Sequence, residues 1–127
     1  MEFKGYYAVN LRINRFEDII AWQKAKEMSI QVYKSFDVVR DFGFKDQIQR
    51  ASVSVMNNIA EGFERQTDNE FRQGLYIAKG SCGEVRSMVY LASELNIIDA
   101  DETEILLNLS IEISKVISGL IKSINNP

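Results

Sequence analysis

The stretch from Thr67 to Leu95, TDNEFRQGLYIAKGSCGEVRSMVYLASEL, places apolar or small residues at Phe71, Leu75, Ala78, Cys82, Val85, Val89 and Ala92. The steps alternate between four and three, the heptad seam of a helix that packs in a supercoiled bundle. Thr67 followed three residues later by Glu70 reads as a capping box, which satisfies backbone N–H groups that a first helical turn leaves without partners. A helix is expected from Asp68 to Leu95, and a helix with one long apolar seam needs neighbours of the same kind.

Those neighbours are legible on both sides. Ile48, Ala51, Ser52, Val55, Ile59 and Phe63 predict a helix over 45–64, rich in small residues with Ser54, Ala60 and Gly62. Before it, Phe16, Ile19, Trp22, Ala25, Met28, Val32 and Phe36 advance by three or four, with Asn14 and Glu17 as an N-terminal capping pattern and an end near Asp37. After it, Asn96 and Asp99-Ala100-Asp101 mark a turn. Asp101 with Glu104 reads as the start of a fourth helix that buries Ile105, Leu109, Ile113, Val116, Leu120 and Ile124. Polar links of a few residues cannot cross a bundle end to end, so neighbouring helices run antiparallel. The expected fold is an all-α, up-and-down four-helix bundle over residues 15–127. In residues 1–14, Tyr7, Val9, Leu11 and Ile13 alternate with polar or small residues, a strand period. That extended segment is either an unpaired extension or an edge that pairs with its equivalent in another subunit.

Composition sets the outer limits. The 127 residues are 46% hydrophobic and 26% charged, with one proline and one cysteine, which suits one globular helical domain. Cys82 cannot form an intrachain disulfide, no apolar run approaches a membrane span, and the N-terminus lacks a signal-peptide core, so a cytoplasmic location is expected. The net charge of −3 means that the overall field does not recruit polyanions. A local basic patch would have to do so. The best candidate is Arg65, Arg72, Lys79 and Arg86, spaced seven apart and aligned if one helical geometry runs through all four. Lys79 and Arg86 have no acidic residue three or four positions away.

Catalytic chemistry finds no footing. There is no histidine, so the Glu-x-x-His ligands of di-iron bundles are missing and Cys82 has no imidazole to activate it. Cys82 is expected to be buried and inert. No metal or cofactor site is expected. Glu61 and Glu84 would suggest paired-carboxylate chemistry only within an open cleft, and polar contacts that fix helix register are the expected role. Gly80-Ser81-Cys82-Gly83 lies mid-helix without the strand or Lys-Ser/Thr of a phosphate loop. Two mid-helix glycines cost roughly 1 kcal/mol each relative to alanine, so a close neighbour, helix two at Ala51, Ser54 and Asn58, is expected at Gly80. Leu107 and Ile111 form an apolar pair outside the expected fourth stripe, and Tyr76 and Tyr90 lie off the third seam. All four are candidates for an oligomer interface.

Phe16-Glu17-Asp18-Ile19-Ile20-Ala21-Trp22-Gln23-Lys24-Ala25, Gln49-Arg50-Ala51-Ser52-Val53-Ser54-Val55, Asn58-Ile59-Ala60-Glu61-Gly62 and Ile77-Ala78-Lys79-Gly80-Ser81 resemble one family. This family is the four-helix-bundle proteins encoded in intervening sequences of bacterial large-subunit (23S) ribosomal RNA genes. The resemblance runs from Phe16 to the C-terminus and is most specific at Asn58, Glu61, Gly62, Gly80, Ser81 and Glu84. It implies a ring-like homopentamer without catalytic residues, similar to the accessory proteins of diversity-generating retroelements, which bind nucleic acid and a reverse transcriptase. Those accessory proteins are strongly basic, whereas this chain is mildly acidic. The function expected is a non-enzymatic homo-oligomeric scaffold with RNA or DNA as candidate partner; the alternative is a protein–protein adaptor that binds no nucleic acid.

Overall fold

In the computed structural model, which describes residues 13–126, four helices follow a short 3-10 turn at Phe16–Asp18: α1 Ile20–Ser35, α2 Phe42–Glu64, α3 Asp68–Glu94 and α4 Ala100–Asn125. Contacts join α1 to α2, α2 to α3, α3 to α4 and α4 back to α1, while the diagonal pairs stay apart, as in a square four-helix bundle. One core runs through the square, with Met28, Val32 and Phe36 of α1 meeting Ile48, Val55 and Ile59 of α2, Leu75, Val85 and Val89 of α3, and Leu106, Ile113 and Ile117 of α4. The α3 seam read from the sequence is buried throughout. Tyr7, Val9 and Leu11, and with them the expected strand, lie outside the described residues.

The helix ends differ from expectation in informative ways. Asn14 caps nothing. The 3-10 turn has no side-chain cap, and α1 starts only at Ile20, preceded by an extended Ile19 that is buried at 2% exposure. Burial of Ile19, with Phe16 packed edge-on to Trp22 at 5.1 Å, outweighs the local capping signal. Helix α2 begins at Phe42, three residues earlier than the apolar periodicity indicated, because the Asp41 carboxylate accepts from the Phe44 N–H at 3.1 Å. The reciprocal capping box of α4 is made by Asp99 and Glu102, two residues upstream of the expected Asp101 and Glu104.

The buried stripe of α4 is also shifted by one residue. Leu106, Ser110, Ile113, Ile117, Ile121 and Ile124 face inward, whereas Ile105 is exposed and Leu109, Val116 and Leu120 pack half-buried at the margin. Helix α4 carries apolar residues at 105–107, 109, 111, 113, 116–117 and 120–121. With adjacent apolar positions, helical period alone does not fix which of two overlapping stripes points inward.

Two residues with positive φ make the tight turns. Asn96 (φ 57) ends α3, with the Ile97 N–H bonded to the Ala92 carbonyl and the Asn96 N–H to the Ser93 carbonyl, the Schellman pattern. Gln66 (φ 64) stands between the α2 cap Arg65 and the α3 cap Thr67, so the chain reverses within these three residues.

Candidate functional site

Helices α2 and α3 meet along a polar and glycine seam that contains most of the motif residues. Gln47 Nε2 donates to Glu84 Oε2 at 3.2 Å, and the hydroxyls of Ser54 and Ser81 share a 2.8 Å hydrogen bond. Asn58 Nδ2 donates to both the carbonyl and hydroxyl oxygens of Ser54. Next to it, the backbones touch at Gly62 and Gly74. Glu61 lies beyond this point with Arg65, Glu70 and Gln73 around a shallow cleft of about 260 Å³. Glu84 lines a different cleft, with Gln47 and Arg50. The ten residues from Gly74 to Glu84 correspond to roughly 15 Å along α3, so Glu61 and Glu84 do not form a carboxylate pair.

Gly80 is not part of a helix crossing. A methyl built on it meets nothing within 4 Å, and the same holds at Gly83. The expected contact with α2 falls instead at Gly74, six residues earlier, because the Ser54–Ser81 and Asn58–Gly74 contacts set the register of the two antiparallel helices. Sequence reasoning did not single out Gly74. Its signal was its place beside Leu75 in the seam, where glycine has no helical advantage.

The opposite flank of α3 faces α4. Arg72 Nε donates to Asn125 Oδ1 at 2.6 Å and Cys82 Sγ to the Ser110 carbonyl at 3.2 Å. From Arg72, steps of four and three lead to Tyr76, Lys79, Gly83, Arg86 and Tyr90, all on one helical face. Tyr76 and Tyr90 are each 53% exposed. On α4, Leu107 is half-buried against the core and Ile111 half-buried beside it. Lys115, four residues after Ile111, and Lys122, three before Asn125, are exposed on the same side. Residues expected at a polyanion stripe and residues expected at an oligomer interface therefore share one face. Arg65 does not join them: the positive φ of Gln66 breaks the helical register, and Arg65 lines the α2–α3 cleft.

Charge on this face is one-sided. Between Arg72 and Tyr90 the only acid of α3 is Glu84, which is turned to Gln47 of α2; between Leu107 and Asn125 the only acid of α4 is Glu112, which pairs with Lys24 of α1 at 2.9 Å. Arg72, Lys79, Arg86, Lys115 and Lys122 thus form a basic field on a chain of net charge −3. Behind them, Cys82 is 1% exposed. Burial pushes its thiol up to about 11, against the opposing pull of the Arg86 charge and a backbone hydrogen bond at Ser114. A thiol so held is protonated at neutral pH and is a core side chain rather than a nucleophile.

A further surface went unread in the sequence. Between α1 and α2 lies an open groove of about 700 Å³, with Ile30, Tyr33, Val53 and Met56 along it and Lys26, Lys34 and Lys45 around it. Its signal was dispersed over two helices, and neither half reads as a motif.

Among the described residues, no helix is long and apolar enough to cross a membrane, and no group of three or more His, Cys, Asp or Glu side chains is placed to hold a metal ion. The profile of the 23S rRNA-intervening sequence protein family matches residues 17–119. A crystal structure of a protein of unknown function from the S23 ribosomal protein family of Bacteroides thetaiotaomicron VPI-5482 superposes with a TM-score of 0.76. It is 26% identical to this chain, and the match covers 81% of this chain and 99% of that one. No curated protein matches.

Proposed function

The chain belongs to the 23S rRNA-intervening sequence protein family, and from that premise we propose that it is a non-enzymatic, self-associating bundle that holds RNA or DNA on its α3–α4 face. The carrying observation is the alternation of Arg72, Tyr76, Lys79, Arg86 and Tyr90 along one face, reinforced by Lys115 and Lys122, with no acid on that face between Arg72 and Tyr90. Cations set at this pitch neutralise phosphates and release their counterions. Half-exposed tyrosines between them offer flat surfaces on which unpaired bases stack. Self-association follows the same reading, with five subunits as the number that the resemblance implies.

A fluorescence titration with a labelled single-stranded RNA tests the nucleic-acid part. Affinity is expected to fall by at least about tenfold when monovalent salt rises from about 50 to 200 mM, as counterion release requires. Replacing Arg72, Lys79 and Arg86 together by glutamine should remove most of that salt dependence. Absence of binding at the lower salt, or binding equally tight in both buffers, would overturn the reading in favour of an adaptor that recognises only protein.

A further inference from the structure

The α1–α2 groove and the outward stripe of α3 are complementary, and we propose that they are the two halves of a head-to-tail contact between copies of this chain. This inference rests on the self-association proposed above and names the surfaces that make it.

The groove is apolar along its length and basic at its edges. Ile30 and Tyr33 are about half exposed, Val53 and Met56 are partly covered, and Lys26, Lys34 and Lys45 border them with Asp37 as the one acid of the lining. None of the three lysines is paired with a carboxylate among the described residues; Lys45 donates to the backbone carbonyl of Asp37, and Lys26 sits over the Trp22 ring. Ser29 stands in the same wall, 6% exposed, and its Oγ is a buried oxygen with no hydrogen-bond partner. The occupant that suits this groove is an apolar helix face bearing carboxylates.

Helix α3 carries such a face. Gln73, Ile77, Gly80, Glu84, Ser87 and Leu91 lie in steps of three and four along its exposed edge on the α2 side, where Glu84 also accepts from Gln47, and the row runs on to Leu95 at the C-cap with Glu94 beside it and no basic residue in it. Ile77, Leu91 and Leu95 are 48–59% exposed. Gly80 and Ser87 separate the larger residues, so another helix can approach closely. The absence of any contact at Gly80 within the chain, despite its cost in helix propensity, is then accounted for across the subunit boundary.

The groove lies between α1 and α2, and the stripe lies on α3, the helix diagonal to α1. Each surface meets its complement only on another copy, so the contact is heterologous and propagates into a closed ring or a filament. The α3–α4 face takes no part and stays open for a strand of nucleic acid.

Two charge reversals in the full chain test the contact by light-scattering mass at tens of micromolar. Lys26→Glu with Lys34→Glu reverses the groove; Glu84→Lys with Glu94→Lys reverses the stripe. Each variant alone should fall to the monomer mass, and a chain carrying all four substitutions, in which every contact is again complementary, should regain the wild-type mass, which also shows that both substituted surfaces fold. Gly80→Leu should weaken assembly at least tenfold in concentration without lowering the thermal midpoint of the dissociated chain. A monomeric wild type would overturn both self-association and this contact. An assembled wild type whose mass is unchanged in both reversal variants would overturn this contact alone, as would failure of the fourfold variant to reassemble.

Discussion

Gly62 of α2 and Gly74 of α3 meet backbone to backbone: a methyl on Gly74 would lie 2.9 Å from Gly62 Cα, and one on Gly62 3.1 Å from Gly74 Cα. The same methyl on Gly74 would sit 2.5 Å from the Asn58 carbonyl oxygen. No real Cβ tolerates that distance, so the two helices must part to admit one. This crossing brings Asn58 and Glu61 beside α3 and sets the level at which Ser54 reaches Ser81.

Gly74→Ala should therefore destabilise the fold by about 1–3 kcal/mol, the range for overpacking, despite alanine's better helix propensity. Gly80→Ala, where the added methyl meets nothing, should raise the stability of the dissociated chain by up to about 1 kcal/mol. Urea midpoints at low protein concentration check both. Equal effects of the two substitutions would contradict the assigned crossing.

The inward face of α4 makes a paired test. Leu106 is fully buried, so Leu106→Ala should cost about 2–5 kcal/mol. Its neighbour Ile105 is 46% exposed, and Ile105→Ala should change stability by no more than about 0.5 kcal/mol. The reverse order in chemical denaturation would restore the stripe read from sequence periodicity.

At the start of α4, Asp99→Ala removes a carboxylate that accepts from the Glu102 N–H at 2.8 Å and should cost about 1 kcal/mol. Asp101→Ala lies one turn position inside the helix and should be close to neutral. Thermal melts of the two variants decide between the cap found and the one expected.

Cys82 predicts a pH dependence with a definite sign. Its thiol is held up at about 11 in the folded chain and titrates near 9 when unfolded, so only the unfolded state loses the proton between those values. Stability from this group is complete below pH 9, declines as pH rises and is lost above about 11, a total of about 2–3 kcal/mol at 1.36 kcal/mol per unit. Cys82→Ala should lack this alkaline component. A wild type and variant with parallel stability curves from pH 8 to 11 would show that the thiol is not shielded.

Much of the fold was legible in the sequence because the α3 seam repeats without interruption, the links are short and polar, and no proline precedes Pro127. The basic residues Arg72, Lys79 and Arg86 were legible for the same reason, since one helix carries all three at a regular pitch. Other features depended on contacts between segments remote in sequence. Arg65 left the stripe because Gln66 turns left-handed to bring α3 back along α2. The α4 stripe shifted by one because its neighbours chose between two overlapping apolar faces, and Gly74 displaced Gly80 because the register of α2 against α3 is fixed by Ser54, Asn58 and Gly62. The groove between α1 and α2 exists only after Ile30 and Tyr33 are set beside Val53 and Met56. Periodicity along one chain segment determines that a helix forms and roughly which side it buries. The rotation and level of each helix against the next depend on packing shared by two segments, and only the tertiary structure supplies that.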